Sequence, residues 1–523
     1  MAATATSKRR RAPRPRGVHK PRGVLHGRVQ KAGPEHFGMV CVDCAKARSK
    51  WMICDFYGRM LLPPEDLLHG RAYFELAVCR LREAIDKHRL RDVVVAIERT
   101  GTCHLPVKRA FSAAGFECRI VHPFATKQFR QPADPGNKTD ETDLSAIFRA
   151  ATCGFGLIEP PLDPLSEHLR LLVRHRRDLV QKRSAVCCQL REHWEATLPG
   201  FASCFDEFWD SAVGLYVARH FHHPEAVREA GVEGLARRLK EAGHRCSKPT
   251  LQRCVSWAAN AASPAGAAAV DHRIARALDD DRRAKTEQIQ ALERDIAGLF
   301  VRTPYVLLVS VPGINVVTAA EFAGEMGPIS HYVHAKAITG RAGIFPSRYQ
   351  SDQVDCQSGP LIRCANRRLR ASVMMIADNL VKCNYYFNGL AGAWKAAGKD
   401  PRANRVRVAC RYSRIAFHMV AGGEVFHHPL CRDRSYILDK LLMFYREHDT
   451  PPARIVTDLQ AAVAQLPKTE YAAEAAPLAK RMTQRTARRR RGPQPLGDIL
   501  PIVLARLGVS EVQSNLSGDQ GPG

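Results

Sequence analysis

The sequence predicts an α/β domain followed by all-α segments. Between residues 37 and 156, short apolar runs rich in β-forming residues alternate with segments of helical periodicity. From residue 157 to residue 430, helical spacing predominates. The chain has 523 residues, of which 45% are hydrophobic and 25% charged, so it is long enough for several domains with cores of their own.

Residues 1–36 are predicted to form a flexible basic arm. The first 31 residues contain ten Lys or Arg and no acid, a composition that cannot bury a core. A second basic cluster covers residues 480–491, and the whole chain has a formal net charge of +27. Clustered cations gain affinity by releasing counterions from phosphate backbones, so a nucleic acid is the expected partner. Each cluster has the alternative of being a solubilising tail or a localisation signal.

The sequence lacks the apolar stretch that a membrane span or a secretion signal needs, so we expect a cytoplasmic protein associated with the nucleoid and no membrane partner. Its 17 cysteines are then mostly reduced and buried. The CxxC motif of Cys41 and Cys44 lies within a predicted strand, where the two side chains point to opposite faces. Loose candidates for the rest of a zinc site are Cys103, His104, Cys118 and His122.

The α/β domain, residues 37–156, begins with two runs that predict an antiparallel pair of strands, "GMVCVD" and "KWMICDFYG". A helix over residues 71–88 follows, and "VVVAIE" then has the continuous apolar character of a strand buried on both faces. The remaining elements are a helix over 105–115, the strand "CRIVH" and a helix over 139–152. A hairpin followed by alternating strands and helices predicts a mixed sheet.

Residues 157–303 are predicted to be helical. Leu165, Leu179 and Trp194 belong to a heptad-like apolar stripe flanked by arginines, and residues 270–300 contain a matching stripe. An antiparallel coiled-coil hairpin, or a dimer built from it, would bury both stripes. The alternative is an intramolecular helix pair that binds nothing.

Residues 304–430 are predicted to form a mainly helical C-terminal domain. Its segment "SVPGINVV" resembles a helix-hairpin-helix turn, in which backbone N–H groups meet phosphates at a helix N-terminus. The alternative is a plain turn before a core helix. Residues 431–523 contain no further motif and are predicted to be an extension with the basic cluster and a disordered tail.

Four acidic residues lie at the ends of the predicted elements of the α/β domain. Asp43 ends the first strand and Glu98 ends "VVVAIE". Asp140 and Asp143 are three residues apart on the last helix, about 60° apart around its axis, so both can face the sheet. Such a cluster repels itself unless a hard divalent cation joins it, and Mg²⁺ or Mn²⁺ suits carboxylate oxygens. Two such ions about 4 Å apart can bind both reacting oxygens of a phosphodiester exchange.

The alternative for each acid taken singly is a structural role. Acids are common at strand ends and in the first turn of a helix, where Asp140 or Glu141 would cap the helix or interact with its dipole. Glu141 points away from the two aspartates and is left out of the predicted site.

The segments "VDCAK" (42–46), "IERTG" (97–101) and "KTDETD" (138–143) resemble the three acidic motifs of the DEDD transposases of insertion-sequence family 110. Three later segments are similar to the C-terminal domain of that family: "LLVSVPGINVVTA" (307–319), "AGIFP" (342–346) and "ANRRLR" (365–370). The resemblance implies a RuvC-like ribonuclease-H fold for the N-terminal domain. It also implies a recombinase for DNA transposition, guided by a bridge RNA that pairs with donor and target DNA.

The resemblance further implies that Asp43, Glu98, Asp140 and Asp143 bind the catalytic metal ions. A nucleophilic serine is expected in a Pro-x-x-x-x-Ser-Gly pattern of the C-terminal domain, and Ser351 stands five residues after Pro346. Asp352 replaces the glycine of that pattern, and Ser358, which precedes Gly359, is the second candidate. A serine hydroxyl needs activation, and a phosphoserine intermediate conserves the bond energy needed for rejoining.

Two alternatives to a homo-oligomeric recombinase, a dimer or tetramer acting on double-stranded DNA, remain from the sequence. A RuvC-like junction nuclease would use metal-activated water and release free ends without a protein–DNA adduct. A non-enzymatic architectural protein would bind DNA or RNA equally well in EDTA.

Overall fold

A computed structural model of the chain describes residues 21–133, 135–264, 266–352, 354–356, 359–363, 365–426 and 436–467. The chain divides into two units, Met1–Pro161 and Leu162–Gly523. The first 20 residues, the basic cluster at 480–491 and the predicted tail lie outside the described residues, as does Ser358. In the described part of the chain, no helix has both the length and the apolarity needed to cross a membrane.

The first unit contains a six-stranded mixed sheet with helices on both faces. The predicted strands and helices between residues 37 and 152 are all present, and the helix predicted over 71–88 has those bounds. In chain order the elements are α1 His26–Ala32, β1 Phe37–Asp43, β2 Arg48–Asp55, β3 Met60–Leu68, α2 Arg71–His88, β4 Asp92–Glu98, α3 His104–Ala113, β5 Glu117–Val121, α4 Pro123–Arg130, α5 Asp140–Thr152 and β6 Gly156–Leu157.

The strand order in this sheet is β3-β2-β1-β4-β5-β6. β1 is antiparallel to β2, as predicted, and parallel to β4, where Val42 pairs with Ile97. β4 is parallel to β5, with Glu98 opposite Val121. Because β1 and β4 are parallel neighbours, their carboxyl ends meet at the same edge of the sheet.

Alternation along the strands separates two hydrophobic cores. Met39 and Cys41 face one side, where Leu144 and Ile147 of α5 cover them. Val40 and Val42 face the other side, together with side chains of α2 and α3. Since successive side chains of a strand point to opposite faces, residue 43 of β1 continues the row of 39 and 41 toward α5.

The arm prediction is wrong for its last part. Residues 26–32 form α1, whose Val29 and Ala32 are buried in the core under α5. The Arg28 guanidinium donates to both Asp92 oxygens, at 2.8 and 2.5 Å, and to Glu117 at 2.6 Å. The prediction rested on the basic composition of this segment and overlooked its apolar stripe and the pairing of Arg28 with two acids.

β3 was not predicted from the sequence. It contains Pro63 and Pro64, residues that disfavour a central strand because proline cannot donate to the hydrogen-bonded ladder. β3 is an edge strand of the sheet, and its pairing with β2 is irregular between Trp51 and Cys54. The edge position therefore explains why the prolines are compatible with a strand here.

In the part of the second unit that the structure describes, the regular elements are helices apart from one two-stranded ribbon. Short 3₁₀ segments, among them Pro304–Ser310, connect some of its helices. In chain order its elements are α6 Pro164–Thr197, α7 Ala212–His220, α8 Pro224–Glu241, α9 Lys248–Asn260, α10 Ala268–Phe300, α11 Val316–Met326, α12 Lys336–Ala342, β7 Tyr349–Ser351, β8 Val354–Cys356, α13 Arg367–Cys383, α14 Tyr385–Ala396, α15 Pro401–Gly422, α16 Tyr436–Glu447 and α17 Pro452–Gln465.

The two long helices α6 and α10 pack against each other and run antiparallel. Arg176 of α6 donates to Glu293 near the end of α10, whereas His193, later in α6, bonds to Asp271 near the start of α10. Both helices contribute at one end to a core that contains Val173 and Phe300. At the other end they contribute to a second core with Trp194.

The core that contains Val173 and Phe300 extends through α11, α13 and α15 to the two last helices. Leu441 of α16 and Leu459 of α17 are fully buried in it. The sequence-based boundary at residue 430 therefore cuts through a continuous core, and the description of residues 436–467 as an extension is wrong. The apolar spacing of α16 was present in the sequence, but no motif identified it.

The predicted Pro-Gly-Ile turn precedes α11. Gly313 has φ +94°, which glycine adopts without strain, and Asn315 caps the helix by accepting the Thr318 N–H at 2.8 Å. The Pro312 carbonyl accepts a hydrogen bond from Asn384, and Pro312 is buried. Contact of this turn with phosphate stays a prediction.

Candidate active site

The acidic residues that end β1 and β4 lie on the sheet face that α5 covers. Asp43 stands two residues after Cys41, and Glu98 stands two residues after Ala96; both of these buried residues belong to the core under α5. Asp43 and Glu98 are themselves half-buried and share a hydrogen bond between their carboxyl groups. Parallel pairing of the two strands thus brings together two acids that are 55 positions apart in the sequence.

Burial raises the pKa of both carboxyl groups. For Glu98 burial is the largest cause, the negative charge of Asp43 adds to it, and the pKa reaches about 7. Burial also raises the pKa of Asp43, although its hydrogen bond with Glu98 opposes the rise. A hydrogen bond between two carboxyl groups needs one proton, so near pH 7 the pair holds about one negative charge instead of two.

The N-terminus of α5 presents Asp140 and Asp143. The cap of this helix is Thr139: its Oγ1 accepts the Thr142 N–H at 3.2 Å, and the Thr142 hydroxyl oxygen accepts the Thr139 N–H at 2.9 Å. This reciprocal arrangement satisfies the helix end without an acidic side chain. Capping therefore does not account for Asp140 or Asp143.

Asp143 is buried and forms ion pairs with two basic residues. It accepts a hydrogen bond from Arg130 of α4, and the Lys138 ammonium lies 3.8 Å from its other oxygen. The charge of Asp143 raises the pKa of both Asp43 and Glu98, and that of the exposed Asp140 raises the pKa of Asp43. The structure therefore brings the four predicted acids into one electrostatic group.

The donor set of this group fits a hard divalent cation, because it consists of carboxylate oxygens that lie close enough to force proton sharing. Among the residues described, no set of three or more His, Cys, Asp or Glu already has an arrangement that could hold a metal ion. Arg130 and Lys138 instead provide the positive charge beside Asp143.

Three neighbours of the acids were not predicted from the sequence. Arg130 and Lys138 are ordinary members of a strongly basic chain, and only the fold shows that they reach Asp143. Thr126 of α4 lies beside Glu98 and lowers its pKa, although the buried hydroxyl oxygen of Thr126 has no hydrogen bond of ordinary geometry within the described residues. Lys138 had a signal, since it stands within the "KTDETD" segment itself.

Ser351 lies in the second unit, at the end of β7. This strand pairs with β8 in an antiparallel ribbon in which Ser351 is opposite Val354, and Ser351 is exposed. The following residue, Asp352, has φ +46°. Left-handed backbone favours glycine, and Asp is one of the few other residues that tolerate it.

The base of the ribbon is fixed by backbone contacts. The Ser347 N–H donates to Pro360 O at 2.8 Å, and the Gly359 N–H donates to Ser347 O at 3.1 Å. A Cβ at Gly359 would lie 2.4 Å from Ser347 Oγ and 2.8 Å from Ser347 O, so no other residue fits this position without a shift. Glycine at 359 thus has a structural reason that is independent of the Ser358–Gly359 pattern.

Asn366 of the "ANRRLR" segment connects α13 to the long helix α6. Its side-chain oxygen accepts the N–H groups of Arg368 and Leu369 and caps α13, while its amide donates to Glu325 at 3.0 Å. Arg174 of α6 holds the same Glu325 at 2.7 and 2.9 Å. The "ANRRLR" segment therefore links the start of α13 to α6 and α11.

The cysteine motif is divided between the two faces of the sheet. Cys41 is buried in the core under α5, and Cys44 is buried on the opposite face. This arrangement agrees with the strand position that the sequence predicted. Cys103 and Cys118 pack with Cys44 among apolar side chains on that opposite face.

Comparisons with known proteins identify two matching segments. Residues 40–199 match the family model of the DEDD transposases of IS110, described as "Transposase". Residues 305–391 match the model described as "Transposase IS116/IS110/IS902 family". The first segment contains all four acids, and the second contains Ser351.

Two curated relatives were found in Streptomyces. The chain is 26% identical over 213 residues to the insertion element IS116 uncharacterized 44.8 kDa protein of Streptomyces clavuligerus, which covers 40% of the chain and about half, 53%, of that relative. It is 24% identical over 362 residues to the insertion element IS110 uncharacterized 43.6 kDa protein of Streptomyces coelicolor, which covers 66% of the chain and 87% of the relative. Both family models match in order along one polypeptide, and both relatives are proteins of insertion elements, so the chain is similar to the IS110 family of transposases in both segments.

Proposed function

We propose that the chain is a DNA transposase that acts as a recombinase, with a carboxylate-bound metal centre in its first unit and a serine nucleophile in its second. The observation that carries this proposal is the convergence of Asp43, Glu98 and Asp143 from two strand ends and a helix start. Similarity to two transposase family models supports the same activity. The RuvC-like ribonuclease-H fold is supported by an antiparallel β3-β2-β1 meander that continues into parallel β4 and β5.

Asp43, Glu98, Asp140 and Asp143 would hold Mg²⁺ or Mn²⁺. The ion would supply positive charge to the phosphate oxygens of the DNA strand that is cut. Glu98, with its pKa raised to about 7 beside Asp43, is the carboxyl group that gives up a proton when a cation joins the group. Arg130 and Lys138 balance Asp143 in the absence of other cations.

Ser351 is the proposed nucleophile. Its hydroxyl oxygen forms a bond to the phosphorus of the DNA backbone, the bond from phosphorus to one deoxyribose oxygen breaks, and the serine proton ends on that leaving oxygen. The phosphoserine ester keeps the energy of the broken bond, so a second strand end can reverse the step on a new partner without an external energy source. The left-handed backbone of Asp352 supports this assignment, because the pattern of the resembling family has glycine there.

The proposed partners are double-stranded DNA of the element ends and target, a bridge RNA and further copies of the chain in a dimer or tetramer. The formal net charge of +27 supports partners with phosphate backbones. We therefore propose that the protein acts at the cytoplasmic nucleoid. If base pairing with an RNA selects the target, the protein contributes mainly contacts to the backbone.

The nucleophile is tested by trapping the covalent intermediate. Purified protein, incubated with its RNA, DNA containing an element end, and Mg²⁺, should form an adduct that survives denaturing electrophoresis. Ser351→Ala should abolish the adduct, and Ser358→Ala should retain it. An adduct in Ser351→Ala would exclude Ser351, and free ends without any adduct would favour a nuclease that uses water.

The metal centre is tested by neutral variants of its acids. Asp43→Asn and Asp143→Asn should weaken Mn²⁺ binding in calorimetry and abolish adduct formation, while DNA binding persists. Glu141→Gln is the matched control, because Glu141 stands between the two aspartates of α5 and is exposed. Full activity in EDTA, or equal loss in the control variant, would contradict the assignment.

A further inference from the structure

The ribbon of β7 and β8 has one face that combines the proposed nucleophile with exposed apolar side chains. Directly opposite residues of an antiparallel pair, and residues two apart on one strand, share a face. The register pairs Tyr349 with Cys356 and Ser351 with Val354, so these four side chains lie together on one face. Gln350 and Asp355 form the other face.

The two faces differ in chemistry. Tyr349 is 65% exposed and Val354 is 57% exposed, and Cys356 is exposed as well. On the other face Arg348 binds both oxygens of Asp355 at 2.8 Å, which anchors that side. The face that carries Tyr349, Ser351, Val354 and Cys356 is therefore the one available to a ligand.

The surroundings of the ribbon are strongly basic. Residues 336–370 contain seven Lys or Arg and two Asp, a formal net charge of +5. Arg363 and Arg367 near the base of the ribbon are exposed and form no ion pair among the described residues. An aromatic ring on an apolar strand face within basic surroundings is the combination that binds single-stranded nucleic acid, with bases on the rings and phosphates on the cations.

We propose that Tyr349 is a nucleobase-stacking site for DNA, on which the base next to the phosphate attacked by Ser351 is held unpaired. Residues two apart on a strand are separated by about 7 Å, so one nucleotide can contact both side chains. Val354, opposite Ser351, covers the sugar side of the same nucleotide. This inference rests on the proposed nucleophilic role of Ser351, and it adds a local opening of the duplex at the cleavage point.

Photocrosslinking tests the contact without relying on catalysis. DNA containing an element end is prepared with 5-iododeoxyuridine at one position at a time around the cleavage point, bound to the full chain with its RNA, irradiated, and analysed by peptide mass spectrometry. We expect a crosslink at Tyr349 from one or two adjacent positions. It should persist in Ser351→Ala and Gln350→Ala and disappear in Tyr349→Leu.

Adduct formation provides the second readout. Tyr349→Phe should keep it, and Tyr349→Ala should lower it about tenfold, the loss expected for one base–aromatic stack. Gln350→Ala, on the opposite face, is the matched control and should react as the wild type does. Thermal unfolding identifies any variant that fails to fold. Because Tyr349→Phe keeps the aromatic ring, it distinguishes loss of stacking from loss of the fold.

The outcomes separate this inference from the proposed function. An adduct that depends on Ser351 but not on Tyr349, or crosslinks at Tyr349 from the RNA alone, would overturn the stacking site and leave the nucleophile in place. An adduct that persists in Ser351→Ala, together with a DNA crosslink at Tyr349, would overturn the nucleophile and leave the stacking site.

Discussion

Replacement of His448 by glutamine should destabilise the second unit in a pH-dependent way. His448 of α16 bonds through Nε2 to Glu293 at 2.7 Å and through Nδ1 to the Phe444 carbonyl oxygen at 2.8 Å. Both partners accept hydrogen bonds, so both ring nitrogens must carry a proton and the ring is an imidazolium. The hydrogen bond to Glu293 is the main cause of the raised pKa of His448.

The charges around His448 show why its proton matters. Arg176 donates to Glu293 at 2.6 Å and to Glu321 at 2.7 Å, and the side chains of all four residues are no more than 17% exposed. Two cations then face two carboxylates; with a neutral imidazole, one buried carboxylate loses its counter-charge. The charge of Glu447 also raises the pKa of His448, and the charge of Arg177 lowers the pKa of Glu321. Neither group replaces the positive charge that is lost when His448 becomes neutral.

The expected magnitude follows from this burial. Removal of one partner from a buried charge pair costs about 3 kcal/mol, or roughly 6–12 °C in the melting temperature of a domain of 150–250 residues. Since the pKa of His448 is raised in the folded state, its contribution is complete below pH 6.5 and is lost as the pH rises through the folded pKa. The difference between the wild type and His448→Gln should therefore be largest near pH 6 and shrink toward pH 9.

Urea unfolding from pH 6 to pH 9, followed by circular dichroism, measures this difference. His168→Gln is the control, because His168 is an exposed histidine of α6, and it should change stability by less than about 0.5 kcal/mol. A loss in His448→Gln that is equal at both ends of the pH range would refute the imidazolium as its cause.

Three further changes have defined outcomes. Glu98→Gln should stabilise the first unit by about 1–2 kcal/mol at pH 8 after allowance for solvent screening; the difference from the wild type should grow from pH 4.5, where Glu98 ionises in the unfolded chain, to about pH 7, where it ionises in the folded protein. The same variant should weaken the rise in melting temperature caused by Mg²⁺. Glu141→Gln should show neither effect. Gly313→Ala should cost about 2 kcal/mol in thermal unfolding, since its φ is +94°. Arg28→Met should cost about 1–2 kcal/mol and speed proteolysis after residue 22, because it removes both bonds to Asp92.

Much of the sheet domain was predictable because its elements follow local rules. The strand pair, the buried "VVVAIE" strand and the helix over 71–88 have clear periodicity, and the fold places them as expected. The convergence of Asp43 and Glu98 followed from strand ends alone. The role of Arg130 did not, because a contact between α4 and α5 has no local signal in a chain with 79 Lys or Arg.

The errors have physical causes as well. α1 was missed because basic composition outweighed the two buried positions Val29 and Ala32, and β3 was missed because its prolines suit only an edge strand. The boundary at residue 430 failed because Leu441 and Leu459 join a core whose other members lie far away in sequence. Packing between residues that are far apart in the sequence leaves no pattern in any short segment, so it could not be predicted from the sequence.

The antiparallel helices α6 and α10 give the second unit a mechanical property. Thirty-four residues of α6 extend about 50 Å, and each end of the pair is embedded in a different hydrophobic cluster. The pair therefore forms one continuous connection between the two clusters, so a displacement of the aromatic cluster around Trp194 is expected to act along α6 on the core that contains Val173.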